Sequence, residues 1–350
     1  MFSYILGADV KEKLPPSLLQ HQLKLEHHHN RLPSLTMYTT VIDEEEDLHA
    51  RVKPVTLLQD AEILDQVSDT IAVMRQKEVT TYLRTDYLKD NQSLAQVLDA
   101  SWRQRIMEWM YGVVDHCSLR RDSVATAAFY LDLCAEKGVI TSREEYQLAA
   151  MTSLQIAIKL CDSTVVKLQS MVALGRGLFS EQDVIHMEAK ILSTLGWQVH
   201  PPTAVCFLRQ FLRLMPPGMD QLTRYMIAEV TRFISEISVC LYKFVQFPPS
   251  VVAYAGMILA MDRIDKRTLS ERERFDIFQG MTRIAKLDHT SPQVAVVVAQ
   301  LRISLEKNVS LQELMESIGA QCCGRNVKMR GFDNYSATVA GIHSPRDVVR

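Results

Sequence analysis

Residues 145–161 form a helical stretch that is apolar almost all round. Leu148, Ala149, Ala150, Met151, Leu154, Ile156, Ala157, Ile158 and Leu160 leave no broad polar face. Such a helix cannot lie on a surface; it has to sit in the middle of a bundle with other helices around it. Its start is marked by Ser142-x-x-Glu145, the pattern of a capping box.

The flanking sequence supplies the helices to surround it. Trp102, Ile106, Trp109 and Val113 recur at i, i+4, i+7 and i+11 and share one helical face. Asp122 or Ser123 can cap a second helix with Val124, Ala127, Ala128, Leu131 and Cys134 inside. After the central helix a short one carries Val165, Val166, Leu168 and Met171. A fifth begins at Ser180-x-x-Asp183, buries Val184, Met187, Ile191, Leu192 and Leu195, and ends at Gly196. Pro201-Pro202-Thr203 then punctuates the chain. Helical patterns resume over 205–214, 221–234, 238–244, 249–261, 270–285 and 291–305, with 249–255 as the small-residue counterpart of the central helix. No β pattern of strength is present. The expected class is all-α, in two tandem helical units.

The ends read differently. Residues 1–67 lack a sustained period, are broken by Pro15, Pro16, Pro33 and Pro54, and hold an acidic run from Asp43 to Asp47; they are expected to be a mostly disordered arm. Near Asp69 a helix starts, and a short helical piece is expected over 78–84, ended by Asp90-Asn91-Gln92. Residues 318–350 are expected to be a flexible tail.

Composition narrows the function classes. A net charge of -2 over 350 residues gives no basis for coating nucleic acid or binding a membrane surface. The longest apolar runs, 251–261 and 294–299, are far short of the ~20 residues that cross a bilayer, and the N-terminus lacks the features of a signal peptide. Seven cysteines, an odd number without a C-x-x-C pair, suit free thiols in a reducing compartment. Phosphate-binding loops, nucleophile elbows, zinc-protease motifs and the His-Arg-Asp and Asp-Phe-Gly signatures of kinases are absent. Adjacent His27, His28 and His29 cannot all face one ion, and the run from Asp43 to Asp47 does not match the spacing of a Mg-binding D-D-x-x-D motif. No metal, cofactor or catalytic residue is therefore expected.

A set of ordered motifs points instead to a binding protein. The run Arg103-Gln104-Arg105-Ile106-Met107-Glu108-Trp109 resembles the cyclin motif M-R-x-I-L-x-D-W. Phe129-Tyr130-Leu131-Asp132 is similar to N-x-[IL]-D, Ala157-Ile158-Lys159 to A-S-K, and Met187-Glu188-x-x-Ile191-Leu192-x-x-Leu195 to M-E-x-x-I-L-x-x-L. Pro202-Thr203-x-x-x-Phe207-Leu208 matches the P-T-x-x-x-F-L that joins two boxes, and Pro249-Ser250-Val251-Val252-Ala253 looks like P-S-x-x-A of a second box. Tyr82-Leu83-Arg84 resembles the helix that precedes the first box. The resemblance is to the cyclin family, over residues 70–310. It implies two tandem five-helix boxes, 68–200 with the preceding helix and 201–317, and no catalysis by the chain itself.

The resemblance also implies roles. Arg103 and Asp132 would form a structural ion pair between the first two helices. Lys159 and Glu188 would contact a cyclin-dependent Ser/Thr kinase, the Lys donating to backbone carbonyls and the Glu accepting from backbone N–H groups. Read alone, Lys159 is a cation suited to a helix C-terminus, and Glu188 a solvated carboxylate. Trp102, Ile106, Trp109, Arg143 and Gln147 map onto a patch that docks short substrate or inhibitor peptides, with Trp102 and Ile106 departing from the usual Met and Leu. After Lys159 the run Leu160-Cys161-Asp162 replaces an aromatic and two Glu. Ser344, before Pro345, is a candidate phosphorylation site. Residence in nucleus or cytoplasm is a family expectation. The rivals are a cyclin-fold transcription adaptor, which calls for a zinc ribbon and basic faces, a transcriptional-kinase cyclin, an all-α Mg-dependent isoprenoid enzyme, which calls for a second metal motif, and a helical scaffold with no kinase.

Overall fold

The computed structural model describes residues 61–162 and 166–306. The distal parts of the arm and tail lie outside them, and with them His27–His29, the acidic run, Cys322, Cys323 and Ser344. Within them the chain is helical. A long α1 (Ala61–Val79) leads to the short α2 (Tyr87–Asp90) and α3 (Gln92–Val97). Five helices follow: α4 (Ala100–His116), α5 (Asp122–Glu136), α6 (Arg143–Cys161), α7 (Leu168–Leu174) and α8 (Glu181–Thr194). Five more make a second unit: α9 (Ala204–Arg213), α10 (Gln221–Cys240), α11 (Pro249–Arg263), α12 (Glu271–Gly280, prolonged by a π turn at Met281–Ala285) and α13 (Pro292–Leu305).

Each unit is built around its most apolar helix. In α6 every residue from Ala149 to Ile158 is buried, including Thr152, Ser153 and Gln155. In α11 every residue from Ser250 to Met257 is buried. Small residues let neighbours approach closely there: a Cβ on Gly256 would stand 3.2 Å from the Thr231 methyl on α10. Any larger residue at 256 would therefore push the two helices apart.

Several elements differ from the sequence pattern. The first helix begins at Ala61, inside the stretch read as arm, because Val67 and Ile71 find an apolar surface to cover. It stops at Val79, so Tyr82-Leu83-Arg84 are not helical. The turn closes with the Tyr82 N–H on the Lys77 carbonyl, 2.9 Å, and the Tyr82 ring is buried in the first unit. Neither Asp122 nor Ser123 caps α5: Arg121 is the N-cap, without a side-chain bond, and the Asp122 carboxylate binds Arg120 and Arg209. Ser142 does cap α6, accepting from the Glu145 N–H, but the Glu145 carboxylate takes the Thr141 N–H and hydroxyl, each at 2.7 Å. At Ser180 the capping box is complete. The two helical pieces expected over 221–244 are one helix to Cys240 and a 3-10 turn at Tyr242–Phe244. Ser235 and Ser238 do not interrupt it, since their hydroxyls donate back to the Thr231 and Ser235 carbonyls.

The N-terminal segment straps the two units together. Val67 and Ile71 of α1 join the core of the second unit, not the first. Arg75 donates to the Ala285 and Lys286 carbonyls at 2.7 and 2.9 Å, and the Glu78 carboxylate accepts the Ser250 N–H at 2.9 Å and its hydroxyl at 2.5 Å. Tyr82, Tyr87, Leu94 and Leu98 then enter the first core.

Burial raises the Glu78 pKa above its ordinary 4.5, against the lowering pull of its bonds to Ser250. The folded state thus holds this proton more tightly than the unfolded chain. The stability Glu78 contributes is full below pH 4.5 and is lost as pH rises through the raised folded value. Urea unfolding measured from about pH 4 to 7 should show that slope, and Glu78→Gln should flatten it. An unchanged slope in the variant would place the proton uptake elsewhere.

Candidate functional site

The best-defined polar cluster is buried where α4, α5 and the end of α10 meet. Arg103 Nε and Nη2 donate to the two oxygens of Asp132, both at 2.8 Å, and the side chains are 3% and 1% exposed. This is a bidentate pair, the strong geometry for guanidinium and carboxylate. Arg103 Nη1 donates to the carbonyls of Val239 and Cys240 at 2.9 and 3.3 Å. It therefore also caps the negative end of α10 in the second unit. The Tyr87 hydroxyl donates to Asp132 at 2.9 Å, and Arg84 stands 3.8 Å from the same carboxylate. Burial, with the Asp132 charge beside it, holds the Tyr87 hydroxyl well above its ordinary range. Tyr242 completes the set: its ring is 5.1 Å from that of Tyr87, and its hydroxyl donates to Asp86 and accepts the Leu88 N–H, both at 2.8 Å.

A second charged cluster bridges the two units further along. Arg121 donates to Glu236 at 2.9 and 2.7 Å and pairs with Asp115, while Arg232 binds Glu229 and Glu236. Arg84 was singled out from the sequence only as part of the Tyr82-Leu83-Arg84 motif, and Tyr87, Tyr242 and this second cluster not at all. No local pattern marks them, because their partners lie up to 156 positions away.

Lys159 and Glu188 meet on the surface. Lys159 Nζ donates to both Glu188 oxygens, at 2.8 and 2.9 Å, with the side chains 46% and 25% exposed. Lys159 stands in the last turn of α6 and Glu188 mid-way along α8. Exposed apolar side chains accompany them: Leu160 beside Lys159, Ile185 one turn before Glu188, and Trp197 just after α8. Trp197 is 72% exposed and, with Gly196, takes a left-handed backbone conformation that turns the chain out of the helix. The Asp162 carboxylate of the Leu160-Cys161-Asp162 corner accepts the Arg120 N–H at 2.8 Å, which ties the end of α6 to the start of α5.

The five residues assigned to peptide docking are divided. Ile106 is buried in the first core. Trp109 is half-buried against the small cluster of Met151, Met171 and Val184. Trp102, also half-buried, has the guanidinium carbons of Arg105 and Arg143 over its ring at 5.0 and 4.7 Å from the centroid. Gln147 is half-buried on α6, and Arg143 donates to the Val97 carbonyl at 2.7 Å. The seam between α4 and α6 thus presents indole edges and cations, not an aliphatic groove. Among the described residues no group of three His, Cys, Asp or Glu is placed to hold a metal ion, and no helix is long and apolar enough to cross a membrane.

Residues 69–200 match the model of the cyclin N-terminal domain, and residues 202–301 that of the cyclin C-terminal domain. The chain belongs to the cyclin family. Relatives include cyclin-A1-3 of Oryza sativa subsp. japonica, 25% identical over 193 residues that make up 55% of this chain and 38% of the relative. G2/mitotic-specific cyclin-B of Patella vulgata is 24% identical over 287 residues, 79% of this chain and 66% of that one. Against the plant A-type cyclins the matched region is thus about two fifths of the relative's length. A viral cyclin from herpesvirus saimiri has a similar fold, with a TM-score of 0.50 and 13% identity over 68% of this chain and 96% of that one. The two units described above are the two boxes of a cyclin.

In this cyclin Arg103 hydrogen-bonds both Asp132 oxygens, whereas Arg84 stands 3.8 Å away. Arg103→Ala should lower the unfolding free energy by about 3–5 kcal/mol, because Asp132 would be left buried without its bidentate partner. Chemical denaturation at neutral pH measures this. A loss under about 1 kcal/mol, the value of an exposed pair, would contradict the structural role.

Proposed function

We propose that this cyclin binds and activates a cyclin-dependent Ser/Thr protein kinase in cell-cycle control, and supplies no catalytic group itself. The observation that carries the reading is the exposed Lys159–Glu188 pair amid uncovered Leu160, Ile185 and Trp197. Charged anchors beside exposed apolar side chains are the anatomy of a protein interface. Lysine has three donors and glutamate about four lone-pair sites, so each can engage a partner's backbone while still paired with the other. The kinship with a mitotic cyclin supports the cell-cycle role.

The activation follows from contact. A rigid box face that packs on a mobile helix of the kinase favours that helix's inward position. That completes the kinase's own Lys–Glu pair and orders its activation loop. Shifting a two-state kinase from one part in a hundred active to almost fully active takes about 5.5 kcal/mol of differential binding. One surface ion pair cannot supply that, so the apolar side chains must supply most of it. The α4–α6 seam, by the same proposal, docks short peptides that bring substrates or inhibitors to the complex. Ser344 is proposed as a phosphorylation site, and nucleus or cytoplasm as the place of action.

Lys159→Ala with Glu188→Ala should abolish co-purification of a kinase from cell extract. Helical circular dichroism and the melting temperature should stay nearly unchanged, since an exposed pair contributes roughly 0–1 kcal/mol. Full retention of kinase binding by the double variant would remove the anchors from the interface.

A further inference from the structure

We propose that the α4–α6 seam takes acidic peptide segments, with Arg105 and Arg143 binding their Asp or Glu carboxylates beside Trp102. The inference rests on the reading of this seam as a peptide-docking face and adds the chemistry of the peptide.

Two exposed guanidiniums share one aromatic ring, with their central carbons 5.0 and 4.7 Å from its centre. Like charges this close repel. Yet neither arginine has a carboxylate partner among the described residues. Arg105 makes no hydrogen bond there, and Arg143 makes one, from Nε to the Val97 carbonyl. The carboxylates at hand are engaged elsewhere: Asp99 accepts the Trp102 backbone N–H, Glu108 accepts from Gln104, and Glu145 holds Thr141. Exposed Glu144 pairs with neither arginine. Arg143 moreover opens α6, the end of a helix where its dipole disfavours a cation. Helix stability therefore does not explain its position.

The apolar part of the seam is also incomplete. The Trp102 indole N–H is shielded from solvent and has no acceptor among the described residues. Trp102 and Trp109 are both half-buried, so an apolar peptide residue laid between them gains contact area on rigid rings. Two separate guanidiniums, rather than several converging on one point, suit two carboxylates spaced along an extended peptide. A basic peptide would meet repulsion from both. Charge complementarity at such a rim sets selectivity more than it sets total affinity.

The test uses the full chain and fluorescence anisotropy with three short labelled peptides. All share a Leu-Phe centre; one is flanked by Asp and Glu, one by Gln and Ser, one by Lys and Arg. The acidic peptide should bind about tenfold more tightly than the neutral one, with the basic peptide weakest, and the gap should narrow as salt rises. Arg105→Glu with Arg143→Glu should reverse the order, with both side chains exposed and the fold checked by circular dichroism. Equal affinities for acidic and neutral peptides, or an order that survives the reversal, would overturn the assignment of charge while leaving docking at the seam intact. Binding of none of the three by the folded protein would overturn the docking reading together with this inference.

Discussion

The fold depends on one buried charge pair more than on any other contact. Arg103 and Asp132 join α4 to α5, and the remaining Arg103 nitrogen reaches across to the end of α10. A single guanidinium thus satisfies a carboxylate in the first box and two carbonyls in the second. Its five N–H donors in a fixed fork make this possible; a lysine ammonium could not hold both directions at once. Buried ion pairs are seldom net sources of stability against an apolar alternative. Here the gain is geometric: the angle between the boxes is tied to the packing inside the first.

The strap reinforces that tie from the outside. α1 buries Val67 and Ile71 in the second box, whereas Tyr82 and Tyr87 insert into the first. Tyr87 then ends on the Asp132 carboxylate, and Tyr242 of the second box packs against the Tyr87 ring. The chain thus crosses the interface twice, before the first box and again after Pro201, and both crossings converge on one polar cluster. Sliding one box on the other would strip Arg103 of the Val239 and Cys240 carbonyls, Tyr242 of Asp86 and the Leu88 N–H, and Arg121 of Glu236. Losing buried partners costs far more than making them gains, so the two boxes behave as one body.

Much of this was legible in the chain. The helical class and the apolar centre of each box are legible from periodicity, whereas Arg103, Asp132, Lys159 and Glu188 are picked out by the ordered motifs that resemble the cyclin family. The helix breaks were less legible. Ser235 and Ser238 look like interruptions of a helix, yet their hydroxyls bond to its own carbonyls, which only the folded backbone reveals. Asp122 looks like a cap, yet Arg120 two residues before it and Arg209 of the second box claim its carboxylate. The placement of α1 on the second box could not be read at all, since periodicity shows that a face is apolar but not what it covers. Ile106 shows the same limit: it lies on the face expected to dock peptides, and its side chain points into the core.

The contrast between the two charge pairs suits the structural place of one and the docking role proposed for the other. Arg103 and Asp132 have spent nearly all their bonding capacity inside the protein, so they can hold the boxes but cannot greet a partner. Lys159 and Glu188 use only part of theirs and lie at the surface. Each long side chain would otherwise lose roughly 1.5–2 kcal/mol of rotamer freedom when a partner fixed it. Pairing in the free protein already restricts much of that freedom, so less is lost on docking. In the proposed complex the partner's carbonyls and N–H groups would meet a lysine from the end of α6 and a glutamate from the middle of α8, held at a fixed separation by two packed helices. Such a pair selects for backbone geometry, which kinases of one fold share. In the proposed complex the exposed Leu160, Ile185 and Trp197 would be left to tell one kinase from another by shape.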